Sequence, residues 1–244
     1  MKQISMPVKA GSKVNIKTSD DLSISGENQS IMTALVRHSD ALKFSESEGK
    51  VDIRATSDLH MRLPALQPVT VEKVGGDAHI SRLSQRMIIG KVGGDLALTD
   101  MAGASVETVG GDISLQRTAG AVEVARVGGD LIGNEVESVF SRAVGGDIFL
   151  QGVSGSLNLV AGGDVVIQLT SSTPAAVTVT TGGDVRILVT TECNAQLELH
   201  AEGSSIRLDA CGQRGEWDEE QVSIPLGEGG NVVRVKAGGD IIIN

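Results

Sequence analysis

The tripeptide Gly-Gly-Asp, followed each time by an apolar residue, occurs eight times in this chain, and it limits the folds available more than any other feature. The aspartates are Asp77, Asp95, Asp112, Asp130, Asp147, Asp164, Asp184 and Asp240, and the first seven are 18, 17, 18, 17, 17 and 20 residues apart. A fixed period of this size marks a repeat architecture, in which each repeat buries its apolar face only by stacking on its neighbours. Each repeat also has a half-period. Ile113-Ser114-Leu115 follows one glycine pair, and Val122-Glu123-Val124 follows Gly120. Alternation of this kind, rich in Val, Ile and Leu, reads as a short half-buried strand, and no window shows helical spacing. Antiparallel hairpins fit less well, because only a parallel coil returns the same residue to the same place in every turn. The expected fold is therefore all-β: a single-stranded parallel β-helix, or β-solenoid, with about 18 residues per coil and roughly 13 coils.

Walking outward from the clear repeats yields degenerate copies. Asp58, Asp40 and Asp21 precede Asp77 at steps of 19, 18 and 19, and Gly203-Ser204-Ser205-Ile206 and Gln221-Val222-Ser223-Ile224 lie between Asp184 and Asp240. This reads as one solenoid domain over 1–244, with degenerate coils at 1–73, regular Gly-Gly-Asp coils at 74–190, and degenerate C-terminal coils at 191–244. Two departures from the period are visible. Thr170 to Ala176 lengthens a turn around Pro174, and the acidic stretch 212–221 around Trp217 is expected to loop out or to fold over the last coil. The glycines are expected to supply backbone angles that other residues avoid. Core residues should include Ile113, Leu115, Val122, Val124 and Val127.

Charge and composition narrow the function. A net charge of −10, no basic run and 2% aromatics argue against nucleic acid as a partner. No apolar run approaches the ~18 residues of a membrane-crossing helix, and the N-terminus lacks the apolar run of a signal peptide, so the cytoplasm is the expected compartment. Cys193 and Cys211 form neither a CxxC pair nor a metal-ligand spacing and read as ordinary reduced thiols.

The assembled motifs resemble a bacterial family labelled putative adhesins. The residues that carry the resemblance are Met61-Arg62-Leu63-Pro64, the Gly-Gly-Asp coils, and Leu226-Gly227-Glu228-Gly229 running to Gly239-Asp240-Ile241. The resemblance implies a solenoid fold and association with the cell envelope. A second, more distant similarity is to bactofilins, which polymerise end to end.

The candidate sites are structural or interfacial. The eight aspartates should stack as a ladder along one edge, each accepting hydrogen bonds from backbone N–H groups of its own turn. A calcium site on this ladder is the sharper alternative, although the second Gly-x-Asp of calcium-binding nonapeptides is missing. His60 and His79 each lie two residues after a repeat Asp and should be outer-face neighbours. Gln116, Asn134, Gln151 and Gln168 lie four after the Asp and should stack as an amide ladder. Ile132, Phe149 and Val166 lie two after the Asp and should form an outward apolar patch. The C-terminal Ile241, Ile242 and Ile243 read as an uncapped strand edge, which favours a homo-oligomer stacked end to end as a filament. No catalytic residue, cofactor or metal site is expected. A polysaccharide-active β-helix enzyme ranks below a calcium-dependent binding module, and both rank below a non-enzymatic, adhesin-like scaffold or self-assembling subunit. The identity of any protein or glycan ligand is not encoded in these motifs.

Overall fold

The computed structural model describes residues 2–7, 11–36, 41–170, 175–190, 193–202 and 205–244. The degenerate repeat at Asp40, the Pro174 turn and Gly203-Ser204 therefore lie outside the described residues, or partly so. The protein is all-β with mostly parallel strands, a pairing pattern consistent with a β-solenoid. Among the described residues no helix is long and apolar enough to cross a membrane. The chain forms two compact units, Met1–Arg126 and Val127–Asn244.

In the first unit the strands are β1 (Lys2–Pro7), β2 (Lys13–Thr18), β3 (Leu22–Glu27), β4 (Ile31–Val36), β5 (Leu42–Ser47), β6 (Lys50–Ala55), β7 (Leu59–Pro64), β8 (Val69–Val74), β9 (Ala78–Ser81), β10 (Met87–Val92), β11 (Leu96–Met101), β12 (Ala104–Val109) and β13 (Ile113–Val127). They form two parallel rows. One runs β6–β2–β8–β10–β12 and the other β7–β3–β9–β11–β13. The first repeat, β2–β3, is thus inserted between two later ones. Its outer neighbours are closed by antiparallel strands, β5 on β6, and β4 on β7 with β1 beyond it. The linear order Asp21, Asp40, Asp58, Asp77 expected from the spacing is corrected: Asp77 stacks on Asp21, and Asp58 lies on the other side of Asp21.

The second unit contains β14 (Leu131–Ser141), β15 (Ile148–Val153), β16 (Leu157–Ala161), β17 (Val165–Leu169), β18 (Val177–Thr181), β19 (Val185–Leu188), β20 (Ala195–Ala201), β21 (Ile206–Ala210), β22 (Gln213–Trp217), β23 (Gln221–Leu226), β24 (Asn231–Ala237) and β25 (Ile241–Ile243). Its rows run β14–β15–β17–β19–β25–β21 and β14–β16–β18–β24–β20. The last repeat, β24–β25, is inserted here too. Ile241, Ile242 and Ile243 therefore do not form a strand edge. They pair with Val185, Arg186 and Ile187 on one side and with Ile206, Arg207 and Leu208 on the other. The acidic stretch does not loop out. Its residues Gln213–Trp217 form β22, which pairs antiparallel with β21, while β23 pairs antiparallel with β20. A Cβ on Gly215 would overlap the Trp217 ring, so the ring lies over this glycine, and the outer repeat, β20–β21, is covered by β22 and β23.

The core in both units is aliphatic. Ile113, Leu115, Val122, Val124 and Val127 are each at most 2% exposed, as the alternation requires. Cys193 and Cys211 are disulfide-bonded, with Cα atoms 5.9 Å apart, not reduced thiols. Cys193 lies just before β20 and Cys211 just after β21, so the bond closes one whole repeat on itself. Their separation of 18 residues is a repeat length, and for that reason it carries no local motif.

Candidate functional site

The repeat aspartates form hydrogen-bonded columns. In the first unit, Asp21 Oδ1 accepts the Asp77 N–H at 2.9 Å, Asp77 Oδ1 the Asp95 N–H at 2.9 Å, and Asp95 Oδ1 the Asp112 N–H at 2.9 Å. In the second unit the column runs Asp130, Asp147, Asp164, Asp184, Asp240, with each Oδ1 accepting the next N–H at 2.8 Å, and Asp240 Oδ1 accepts the N–H of Ser205 at 2.9 Å. Each carboxylate thus serves the neighbouring repeat and not its own turn. That is why an acceptor recurs once per repeat: the turn N–H of the next repeat points at it and would otherwise lack a protein partner.

This column explains the glycines. None of the Gly-Gly-Asp glycines has positive φ, so at these positions the expected role in backbone angle is corrected to one in close approach, whereas Gly103, at φ 117, does take the angle expected. A Cβ on the second glycine would overlap the carboxylate of the preceding repeat, as at Gly94 with Asp77 and Gly163 with Asp147. A Cβ on the first would overlap a backbone carbonyl, as at Gly93 with Gly75. The left-handed position is instead the fifth residue after the Asp, at Arg82, Asp100 and Arg117 in the first unit and Glu135 and Gly152 in the second. Nothing in the residue types at these positions signals it. Two of them pair across repeats: Arg117 Nε donates to Asp100 Oδ1 at 2.5 Å and Nη2 to Oδ2 at 3.1 Å, and this hydrogen bonding holds the Asp100 carboxyl below its ordinary range.

The insertion of β3 reshapes the other first-unit candidates. His60 and His79 are not neighbours, because both pair with Ser23, which lies between them. Asp20, Asp21 and Asp58 are instead brought together, with carboxylate oxygens within 4.8 Å of one another. Repulsion from Asp58, reinforced by desolvation and by Asp21, raises the Asp20 carboxyl above its ordinary range. This cluster joins residues from repeats far apart in sequence.

In the second unit, three columns stand in register on one outward face. The aspartates form the first. Ile132, Phe149, Val166, Arg186 and Ile242 form the second, and Asn134, Gln151, Gln168 and Leu188 the third. Ile132 is 49% exposed and Phe149 47%. Ile241 and Ile243 are fully buried, whereas Ile242 faces outward in the same column as Phe149. The three amides make no side-chain hydrogen bond to one another among the described residues. Gln116 stands in register with Thr99 in the first unit.

On the other row of the second unit, β23, β20 and β24 line a shallow groove around His200. Its cations are already paired, Arg234 with Glu198 at 2.5 Å and Lys236 with Glu202 at 2.8 Å, and Lys236 holds the Glu202 carboxyl below its ordinary range.

No protein-family model matches the chain, and no curated protein sequence matches it. Solved structures do. A putative adhesin from Bacteroides fragilis is similar over 100% of this chain and 96% of its own, at 12% identity and a TM-score of 0.43. A putative adhesin from Parabacteroides merdae is similar over 100% and 95%, at 10% identity and a TM-score of 0.45. A putative cell adhesion protein from Clostridium sporogenes is similar over 99% and 98%, at 11% identity and a TM-score of 0.22.

Proposed function

We propose that this chain is a non-enzymatic, adhesin-like β-solenoid with coils of about 18 residues, which presents a flat, periodically patterned surface to a macromolecular partner outside the reducing cytosol. One observation carries the reading: outward positions repeat their chemistry in register, as in the Asp, apolar and amide columns of the second unit. A periodic surface of this kind suits an extended or repeating partner better than a small substrate, which needs a concave pocket with convergent polar groups. The coil length is supported by register partners such as Leu96 with Ile113 and Leu131 with Ile148, each 17 apart (113 − 96 and 148 − 131). The compartment is supported by the Cys193–Cys211 disulfide, because such bonds persist in oxidising environments. The compartment we propose is therefore the envelope and not the cytoplasm.

The test is binding of the oxidised full chain to immobilised glycans and matrix proteins, with hydrolysis products assayed in parallel. Saturable binding without product is expected. Release of new reducing ends would replace the reading with a polysaccharide-active enzyme. A clear rise in melting temperature on adding Ca²⁺ would replace it with a calcium-dependent module.

A further inference from the structure

The outward face of β14, β15, β17, β19 and β25 is chemically unsymmetrical across its width. On one side is the Asp column. Asp147, Asp164 and Asp184 each use one carboxylate oxygen for the next repeat's N–H, and the other oxygen has no partner among the described residues. On the other side Asn134, Gln151 and Gln168 carry amide groups with no described partner. Between them runs the column with Ile132, Phe149 and Val166 at one end and Arg186 and Ile242 at the other. Alternation along a strand separates adjacent columns by roughly 7 Å. Acceptors with capacity to spare thus flank an apolar stripe on its left, and unused donors flank it on its right.

The strand edges offer a poorer docking place. β22 and β23 are short and antiparallel, with Arg214, Glu216 and Pro225 exposed on them, and these features blunt edge pairing. A partner is better served by the face.

We propose that a second copy of this chain covers this face, related by a two-fold axis that runs along the columns. That rotation lays the apolar column of one copy on the same column of the other and exchanges the two outer columns. Each copy's Gln151 then faces the partner's Asp147, and each Gln168 the partner's Asp164, so the amide N–H groups donate to the open carboxylate oxygens. Gln151 and Gln168 are satisfied in this way, whereas Leu188 is the residue that faces the partner's Asp184. Arg186 meets the partner's Arg186 on the axis, and each reaches sideways to the partner's Asp184, which offsets that repulsion. A two-fold axis along the strands would instead set carboxylate column against carboxylate column, and an axis of that kind is disfavoured for a chain of net charge −10. The complementarity is therefore with itself, and an isologous, closed dimer follows in place of an end-to-end filament. Five strands at ~4.8 Å by about 15 Å of strand offer roughly 350 Å² per copy, in the range of weak, transient contacts. The dimer is accordingly of the weak class, and its measurement must extend to about 100 μM.

Sedimentation equilibrium of the full chain, with circular dichroism to monitor folding, is the test. The wild type should dimerise. Phe149→Lys should weaken the dimer by about tenfold or more, as loss of a central anchor does. Gln151→Glu places a carboxylate against the partner's Asp147 and should weaken it by about two- to fivefold, while Gln151→Lys should tighten it by a similar factor. Asn158→Glu, the same charge change as Gln151→Glu on the other row, should leave it unchanged. A wild type that stays monomeric across the range would overturn the proposal. So would Gln151→Glu and Gln151→Lys acting in the same direction, or Asn158→Glu matching Gln151→Glu.

Discussion

Asp147 Oδ1 accepts the backbone N–H of Asp164 at 2.8 Å, and the space between these two residues is closed by Gly163, which has room for no side chain. The Gly-Gly-Asp motif is therefore one device. The carboxylate satisfies a turn N–H in the next repeat, and the glycine lets it approach. Asp147→Ala should cost about 1 kcal/mol, the usual net contribution of such a hydrogen bond. Gly163→Ala should cost about 1–3 kcal/mol by overpacking. The double variant should be less destabilised than the sum of the two, because removing the carboxylate relieves most of the overlap. Urea denaturation of the four proteins measures this coupling. Strict additivity would mean that the glycine is needed for another reason.

Asp20 sits against Asp58 and Asp21, and their repulsion raises its carboxyl pKa in the folded state. A carboxyl raised on folding binds more protons in the native than in the unfolded chain. Its contribution to stability therefore falls as pH rises from the ordinary carboxylate range through the raised value. Asp20→Asn should consequently stabilise the protein at pH 7 and have little effect near pH 3. Added salt should shrink the gain at pH 7, since the groups are exposed. Thermal melts of both proteins at the two pH values decide it, and an equal effect at both would remove electrostatics as the cause.

The disulfide closes a loop of one repeat length, and a loop of this size contributes about 3 kcal/mol in the chain-entropy account. Cys193→Ser with Cys211→Ser should lower stability by about that much. Native protein exported to an oxidising compartment should resist thiol alkylation until it is unfolded and reduced. Ready labelling without reductant would contradict the bond.

Ile242 has a strand neighbour on each side, Arg186 and Arg207. Proline there removes a backbone donor from the interior of a row, where proline is not tolerated. Ile242→Pro should therefore destabilise the protein by about 3 kcal/mol or more, measured by chemical denaturation. Had the C-terminal strand been an edge, the same change would be nearly neutral for stability.

Much of this was legible in the sequence. Two-residue alternation picks out the buried set, because a strand sends successive side chains to opposite faces whatever its neighbours. The Gly-Gly-Asp period implies parallel stacking, because only stacking returns one residue type to one place. The outward column of Ile132, Phe149 and Val166 follows from the same two rules. Stacking order did not follow. Leu22-Ser-Ile, Leu59-His-Met and Ile241-Ile-Ile alternate alike, and any of them fits beside any other until long-range pairing selects one arrangement. The tertiary structure alone placed Asp77 on Asp21, set Ser23 between His60 and His79, and moved Ile242 from an edge to the interior. It alone joined Cys193 to Cys211, whose meeting depends on one full circuit of the chain. The physical reason is common to all of these: the sequence carries the local geometry of each strand, whereas the choice of neighbour is a contact between distant residues, and the degenerate repeats leave that choice open.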